Sequence, residues 1–213
     1  MVLSKYIDAL LLLLLAIFVA FMANIVMSYI PYNTDVRFLR IKQDYIGNNI
    51  WRIAFFVHVY SSMLVLFAGF TQFSTYLQRH KPTLHRKLGY VYVLNILCIT
   101  GPASFIMGFY ANGGFYSQLA FVLLAILWLA STAYALMLAK QGNYKKHQQY
   151  MIRSYALTLS AITLRIWKYA ITNTITLPPM DVYRTVAWLG WVVNWLVAEW
   201  YIVTLNKKKQ LIQ

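Results

Sequence analysis

Histidines and arginines beside or inside long apolar stretches are the residues of this sequence most able to do chemistry. His85 and His147 each open such a stretch, directly after a short basic loop. In a membrane bundle, histidines on separate helices can serve as the axial ligands of a b-type haem. We therefore predict that His85 and His147 are a metal-ligating pair, with haem b as the cofactor. Two alternatives stay open: a zinc ion with Glu199 as a third ligand, or interfacial histidines that contact lipid phosphates.

The apolar stretch that follows His147 also contains Arg153 and Arg165. A charged group in hydrocarbon costs at least about 2–3 kcal/mol, so such residues normally face the bundle interior or a water-filled cavity. We expect Arg153 to pair with Glu199, because each charge would be costly alone. We expect Arg165 to lie near His58, in a second polar layer closer to the opposite membrane face.

Carboxylates are scarce, since Asp and Glu together number 5 against 19 Lys and Arg. This shortage favours an anionic ligand for the internal arginines, such as a haem propionate, a lipid headgroup or a carboxylate substrate. The alternative is that the arginines pair with carboxylates or carbonyls and serve only helix packing. The predicted cofactor-binding residues are His58, His85, His147, Arg153 and Arg165.

The amino-acid composition is typical of an integral membrane protein. Hydrophobic residues make up 61% of it, charged residues 11%, and the mean hydropathy is +0.56. The net charge of +14 does not indicate nucleic-acid binding, because the basic residues cluster in short loops between apolar runs, as membrane topology requires. The single Cys98 excludes a cysteine-based metal cluster, and no Gly-rich phosphate loop, H-E-x-x-H or C-x-x-C occurs. Without a nucleophile–base–acid set, the sequence leaves enzymatic activity undecided.

Six membrane-spanning helices must position these residues. The run from Leu88 to Ala139 carries no charge and exceeds the roughly 20 residues of one crossing, so the turn signal Asn112-Gly113-Gly114 must divide it. Gly101-Pro102 should kink the first of the two resulting helices. We predict an all-α, polytopic integral membrane bundle that forms a single transmembrane domain over residues 1–213. Its six helices are predicted at about 7–30, 49–77, 87–110, 116–139, 147–172 and 183–205.

The distribution of Lys and Arg predicts the orientation. With a cytoplasmic amino terminus, the inside segments hold 11 basic residues and the outside segments hold 5. The positive-inside rule therefore places both termini in the cytoplasm. The polar segment 32–48 is expected to lie flat at the interface or to fold over the mouth of the bundle.

Three stretches, FFVHVYSSMLVLFAGFTQF, LHRKLGYVYV and HQQYMIRSYALTLSAITLR, together resemble a family of predicted bacterial membrane proteins known as domain of unknown function 2306. The resemblance covers about residues 45–205. It implies six or so helices and the bacterial inner (cytoplasmic) membrane, and little about activity. The motif positions are His58, Gln72, His85, Arg86, Gly89, Tyr92, His147, Met151, Arg153 and Arg165.

Three functions are compatible with these residues. The first is a redox membrane protein that holds haem b through His85 and His147 and exchanges electrons with a quinone. The second is an accessory or structural subunit of a larger membrane complex. The third is a membrane enzyme or carrier for an anionic lipid or small molecule, using Arg165 and His58. The expected partners are the lipid bilayer with quinone or other subunits, and no nucleic acid.

Overall fold

The computed structural model describes the backbone of residues 2–30 and 32–210, and the side chains of residues 13, 16–30 and 32–207. Over this part of the chain the elements are helices joined by turns, and no strand is present. The all-α prediction is therefore confirmed. The chain forms two compact units, residues 1–52 and 53–213.

The first unit contains one long helix, α1 (Val2–Met27), followed by a 3-10 helix (Arg37–Lys42) and the short α2 (Gln43–Ile46). Lys42 is 2% exposed, and its ammonium group lies 4.7 Å from the centre of the Tyr45 ring. Burial lowers the pKa of Lys42 from 10.5 to about 8, and the nearby Asp44 carboxylate opposes part of this change. The polar segment after α1 is thus folded around a buried cation.

The second unit contains all four histidines and most of the long helices. The helix α3 begins at Asn49, four residues before this unit, and ends within it at Thr71. In chain order the helices are α3 (Asn49–Thr71), α4 (Thr75–His80), α5 (Pro82–Asn95), α6 (Gly101–Gly108), α7 (Phe115–Lys140), α8 (Tyr144–Thr158), α9 (Ser160–Thr174) and α10 (Pro179–Gln210).

Among the residues that the structure describes, four helical stretches are long and apolar enough to cross a membrane: Asn49–Thr71, Pro82–Gly108, Phe115–Lys140 and Pro179–Lys207. They correspond to the second, third, fourth and sixth predicted helices. Within the described residues of α1, a shorter apolar stretch covers Ala16–Met27. The count of six crossings and the cytoplasmic position of both termini stay predictions.

The structure divides the predicted helix 147–172 at Leu159. The helix α8 ends at Thr158, and α9 begins at Ser160. The Thr158 hydroxyl donates to the Ser154 carbonyl at 3.1 Å. Side-chain hydroxyls that bond to the carbonyl one turn earlier tend to bend helices, and this bond lies one residue before the interruption.

The predicted helix 87–110 departs from α geometry near its middle. Residues Ile96–Thr100 form a π turn, in which the Gly101 N–H donates to the Ile96 carbonyl. A Cβ atom at Gly101 would lie 2.3 Å from the Ile96 carbonyl oxygen and 2.5 Å from Leu129 Cδ2 of α7. Glycine is therefore required here, and the predicted disturbance at Gly101-Pro102 takes the form of a change in helix type.

We expect Gly101→Ala to lower the free energy of unfolding by about 1–3 kcal/mol, because overpacking a tight contact costs that much. Thermal unfolding in a mild detergent measures the change. Gly47→Ala is the matched control, since a Cβ atom there meets nothing within 4 Å. Equal melting temperatures for the two variants would contradict the close approach at Gly101.

Candidate functional site: a histidine pair above a hydroxyl cluster

His85 and His147 occupy similar positions at the starts of two helices. His85 lies in the first turn of α5, and His147 lies in the first turn of α8, where Asn143 accepts the Lys146 N–H at 3.3 Å. Both imidazoles are half-buried. They are close enough to interact electrostatically. The two histidines that the sequence predicted as a pair therefore open two helices that meet through Tyr92 and Ser154, and ligation by the pair stays a prediction.

The ring of His147 is held by a backbone carbonyl of α7. Its Nδ1 lies 2.8 Å from the carbonyl oxygen of Ala135. Because a carbonyl can only accept, Nδ1 carries the proton, and the lone pair of the neutral ring is on Nε2. Metal-ligating histidines usually hold their second ring nitrogen in this way. Nε2 is thus the ring nitrogen of His147 that could ligate a metal.

Gln72 holds the backbone around His85. Its side chain is buried, and its amide donates to the His85 carbonyl at 3.3 Å and accepts from the Gly89 N–H at 3.2 Å. A Cβ atom at Gly89 would lie 3.0 Å from the end of the Gln72 side chain. The small residue at position 89 therefore lets Gln72 reach the first turns of α5. Three motif positions of the resemblance meet at this point.

A group of hydroxyl and indole side chains connects α5, α7 and α8, and we call it the hydroxyl cluster. The Tyr92 hydroxyl lies 2.8 Å from Ser154 Oγ and 2.9 Å from Thr158 Oγ1. Trp128 Nε1 donates to Thr158 Oγ1 at 3.0 Å, and Thr132 Oγ1 lies 2.7 Å from Ser154 Oγ. All five side chains are buried. These hydrogen bonds satisfy polar groups that no solvent can reach.

The hydroxyl cluster lies on the same helix faces as the histidine pair. Tyr92 follows His85 by seven residues, and Ser154 follows His147 by the same interval. Seven residues are close to two helical turns and about 10 Å of rise, so each pair shares a face. The cluster therefore lies two helical turns further along α5 and α8 than the two histidines. The hydroxyl cluster was not predicted from the sequence, although the equal spacing of seven residues on α5 and α8 indicates that Tyr92 and Ser154 lie at the same depth.

Arg153 and Glu199 form the ion pair that the sequence predicted. Arg153 Nε donates to Glu199 Oε1 at 2.6 Å, and Nη2 donates to Oε2 at 2.9 Å. The guanidinium also lies 4.8 Å from the centre of the Tyr150 ring. The side chains of Arg153 and Glu199 are 17% and 35% exposed. A two-point contact of this kind is the strongest geometry for an arginine and a carboxylate.

His58, on α3, belongs to a separate polar network that includes Ser104 of α6. The Ser104 hydroxyl donates to the Thr100 carbonyl at 2.7 Å and lies 2.7 Å from His58 Nδ1. When the Ser104 proton goes to the Thr100 carbonyl, His58 Nδ1 is the donor to Ser104 and the lone pair of the ring lies on Nε2. Arg165 donates to the Ala161 carbonyl and interacts electrostatically with His58. The predicted meeting of His58 and Arg165 is thus present.

The same network uses the π turn. Thr100 donates to Asn95 Oδ1 at 2.6 Å, and Asn95 Nδ2 donates to the Ser61 carbonyl at 3.2 Å. The hydroxyls of Ser61 and Thr100 are 2.6 Å apart. Polar groups of α3, α5, the π turn and α6 therefore form one hydrogen-bonded network, which reaches His58 through Ser104.

A zinc site with three protein ligands is not formed. Among the residues that the structure describes, no three His, Cys, Asp or Glu side chains lie together as metal ligands. Glu199, the expected third ligand, gives both carboxylate oxygens to Arg153. Glu199 is therefore engaged by Arg153 in this structure, and metal ligation by His85 and His147, with haem or with zinc, stays a prediction.

Long apolar helices with paired charges and hydroxyl clusters inside them define a helical membrane protein. The family model described as "Predicted membrane protein (DUF2306)" matches residues 55–202, which is more than half of the chain. The protein belongs to this family, as the motif resemblance indicated. Comparison with the curated proteins and with the solved structures found no match.

We expect Tyr92→Phe to lower the free energy of unfolding by about 1–2 kcal/mol. The substitution removes one hydroxyl that bonds to Ser154 and Thr158, and a side-chain hydrogen bond is worth roughly 0.5–1.5 kcal/mol. Detergent-solubilised protein is unfolded by heat to measure the change. Tyr90→Phe is the control, because Tyr90 is exposed, 49%, two residues away on the same helix. A loss no larger than that of the control would show that the cluster contributes nothing to stability.

We expect Glu199→Gln to destabilise the protein by about 1–3 kcal/mol at neutral pH. Removing one partner of a fully buried pair costs roughly 3–5 kcal/mol, and the partial exposure of Glu199 reduces this. Asp181→Asn provides the comparison, because its ion pair with Arg184 at 2.9 Å is half-exposed and worth about 0–1 kcal/mol. Equal melting temperatures for the two variants would contradict a structural role for the Arg153 pair.

Proposed function

We propose that this membrane protein binds haem b through His85 and His147 and transfers electrons. The observation that carries the proposal is the hydrogen bond from His147 Nδ1 to the Ala135 carbonyl, which makes Nε2 the ligating nitrogen of a histidine that interacts electrostatically with His85. Interfacial histidines that only touch lipid phosphates need no such fixed ring orientation. A haem bound there would supply one-electron chemistry, and the two nitrogen ligands would hold its iron.

The remaining residues of the site have structural tasks in this proposal. Gln72 fixes the backbone of His85, and the hydroxyl cluster stops a ring system from passing deeper between α5 and α8. Arg153 was expected to neutralise a propionate, but Glu199 already balances its charge. We assign that task instead to the exposed Arg86 and Lys146, each of which adjoins one of the histidines.

An accessory subunit of a membrane complex is the second candidate function. It is favoured by the partners that Arg153 and the members of the hydroxyl cluster find within the protein, since these contacts would serve packing equally well without any cofactor. The two candidates differ in whether the purified protein carries a chromophore that depends on the histidines.

The visible absorption spectrum of the purified protein, oxidised and then reduced with dithionite, tests the haem proposal. We expect a Soret band with sharp α and β bands in the reduced form. His85→Ala and His147→Ala should each lower haem content at least tenfold, because each removes an axial ligand. His80→Ala is the matched control, since His80 is exposed and stacks on Tyr76 with ring centres 4.9 Å apart.

A colourless preparation that also fails to bind added hemin would reject the haem proposal. In that case the accessory role would be examined by identifying proteins that remain bound to the purified chain. Equal haem content in wild type and in both histidine variants would equally reject these residues as ligands.

A further inference from the structure

Basic side chains from three segments gather at the end of the bundle where α5 and α8 begin, which we call the basic end. The first turns of these two helices adjoin, since His85 and His147 interact electrostatically. Gln149 Nε2 donates to Asn206 Oδ1 at 3.1 Å, so the last turns of α10 lie there as well. Besides Arg86 and Lys146, the exposed cations of these segments include Arg79, Lys81, Lys87, Lys140, Lys145 and Lys207.

The chain supplies little negative charge to balance the basic end. The sequence contains no Asp or Glu between Asp44 and Asp181, and none after Glu199. Glu199 gives both of its oxygens to Arg153. Among the described residues, no cation of the basic end forms a salt bridge. Clusters of four to eight Lys and Arg beside membrane helices attract anionic lipid head groups. The basic end is therefore suited to a phosphate group from outside the chain.

A groove of about 290 Å³ lies between α8 and α10, and its exposed surface is almost wholly apolar. Ile152 and Ala156 line it from α8, and Val197 and Ala198 line it from α10. The α10 wall belongs to the stretch Pro179–Lys207, which is long and apolar enough to cross a membrane. A charged group in this groove would lose its hydration without gaining a partner, whereas a hydrocarbon chain would not.

Both walls of the groove lead to cations of the basic end. Lys145 precedes Ile152 by seven residues, which is close to two turns, so it lies on the same face of α8 about 10 Å nearer the start of the helix. Lys207 follows Tyr201, another lining residue, by six residues or about 9 Å along α10. Positive charge next to an apolar groove matches the order of groups in a phospholipid, a phosphate followed by acyl chains.

We propose that the basic end and the groove together bind one anionic phospholipid. Its phosphate contacts Lys145 and the neighbouring cations, and one of its acyl chains lies in the groove between α8 and α10. A zwitterionic lipid would bring its own positive charge to the same surface and would therefore bind less tightly. The site uses neither His85 nor His147, so the proposal does not rest on haem binding.

Native mass spectrometry of the delipidated protein in detergent tests the proposal with two probes, dioleoyl phosphatidylglycerol and dioleoyl phosphatidylcholine. The acyl chains are identical, and we expect the first molecule of the anionic lipid to bind at least about 10-fold more tightly. Equal affinities would indicate an acyl-chain groove without head-group recognition and would overturn the proposal. Absence of saturable binding by either lipid would also overturn it and leave the basic end to an acidic partner protein.

Two pairs of variants test the two halves of the site. Lys145→Gln should weaken binding of phosphatidylglycerol roughly 5-fold, because one cation beside an anionic lipid contributes about that factor. Lys168→Gln removes the same charge from an exposed position on α9 and should bind as wild type does. Ala198→Phe should weaken binding of both lipids at least about 10-fold by filling the groove. Val203→Phe, at a half-exposed position of α10, is its control.

Unchanged phosphatidylglycerol affinity in Lys145→Gln or in Ala198→Phe would contradict the proposed site, as would an equal loss in Lys168→Gln. Competition on the wild-type protein gives a test that does not depend on the folding of variants. Inorganic phosphate and glycerophosphoglycerol, which carry the anion without acyl chains, should not displace the bound lipid. Displacement by either would show a free-anion site and overturn the proposal. A colourless protein that passes these tests would keep the lipid site and reject only the haem.

Discussion

Polar groups inside a membrane bundle must find partners within the protein, because hydrocarbon offers none. In this chain that constraint is met chiefly at Tyr92, whose single hydroxyl joins α5 to two residues of α8. Trp128 and Thr132 attach α7 to the same point. The cluster fixes how α5 and α8 face each other, and with them the two histidines two turns above. The candidate metal site therefore depends on hydrogen bonds in which no histidine takes part.

The same constraint explains why the irregular parts of the helices coincide with polar side chains. The interruption at Leu159 follows Thr158, a member of the hydroxyl cluster, and the π turn ends at Thr100, which bonds to Asn95. Near these irregular positions, side chains donate to backbone carbonyl groups. Asn194 bonds to the carbonyl of Ala156, and Ser104 bonds to that of Thr100. Backbone irregularity and side-chain polarity thus compensate for each other within the bundle.

Apolar runs and breakers predicted four long helices well, because the length of a membrane crossing and the turn chemistry of Asn112-Gly113-Gly114 are local properties. The ion pair of Arg153 and Glu199 was also predictable, since few carboxylates were available to balance a charge in hydrocarbon. The hydroxyl cluster was not predicted. Ser and Thr are tolerated almost anywhere in membrane helices, and their partners are set by tertiary packing. The division at Leu159 was also missed, because the sequence around it contains neither Gly nor Pro to mark a break.

The π turn at Ile96–Thr100 also bears on how the length of this helix can vary. A π turn accommodates one residue more than an α-helix would over the same distance, while the faces on either side keep their directions. Tyr92 before the turn points to the hydroxyl cluster, and Ser104 after it points to His58. A chain with one residue fewer in this turn could form an uninterrupted α-helix and keep both directions, while the bonds of Thr100 to Asn95 and Ser61 would change. The turn is therefore a position where homologous chains can differ in length without rebuilding the bundle.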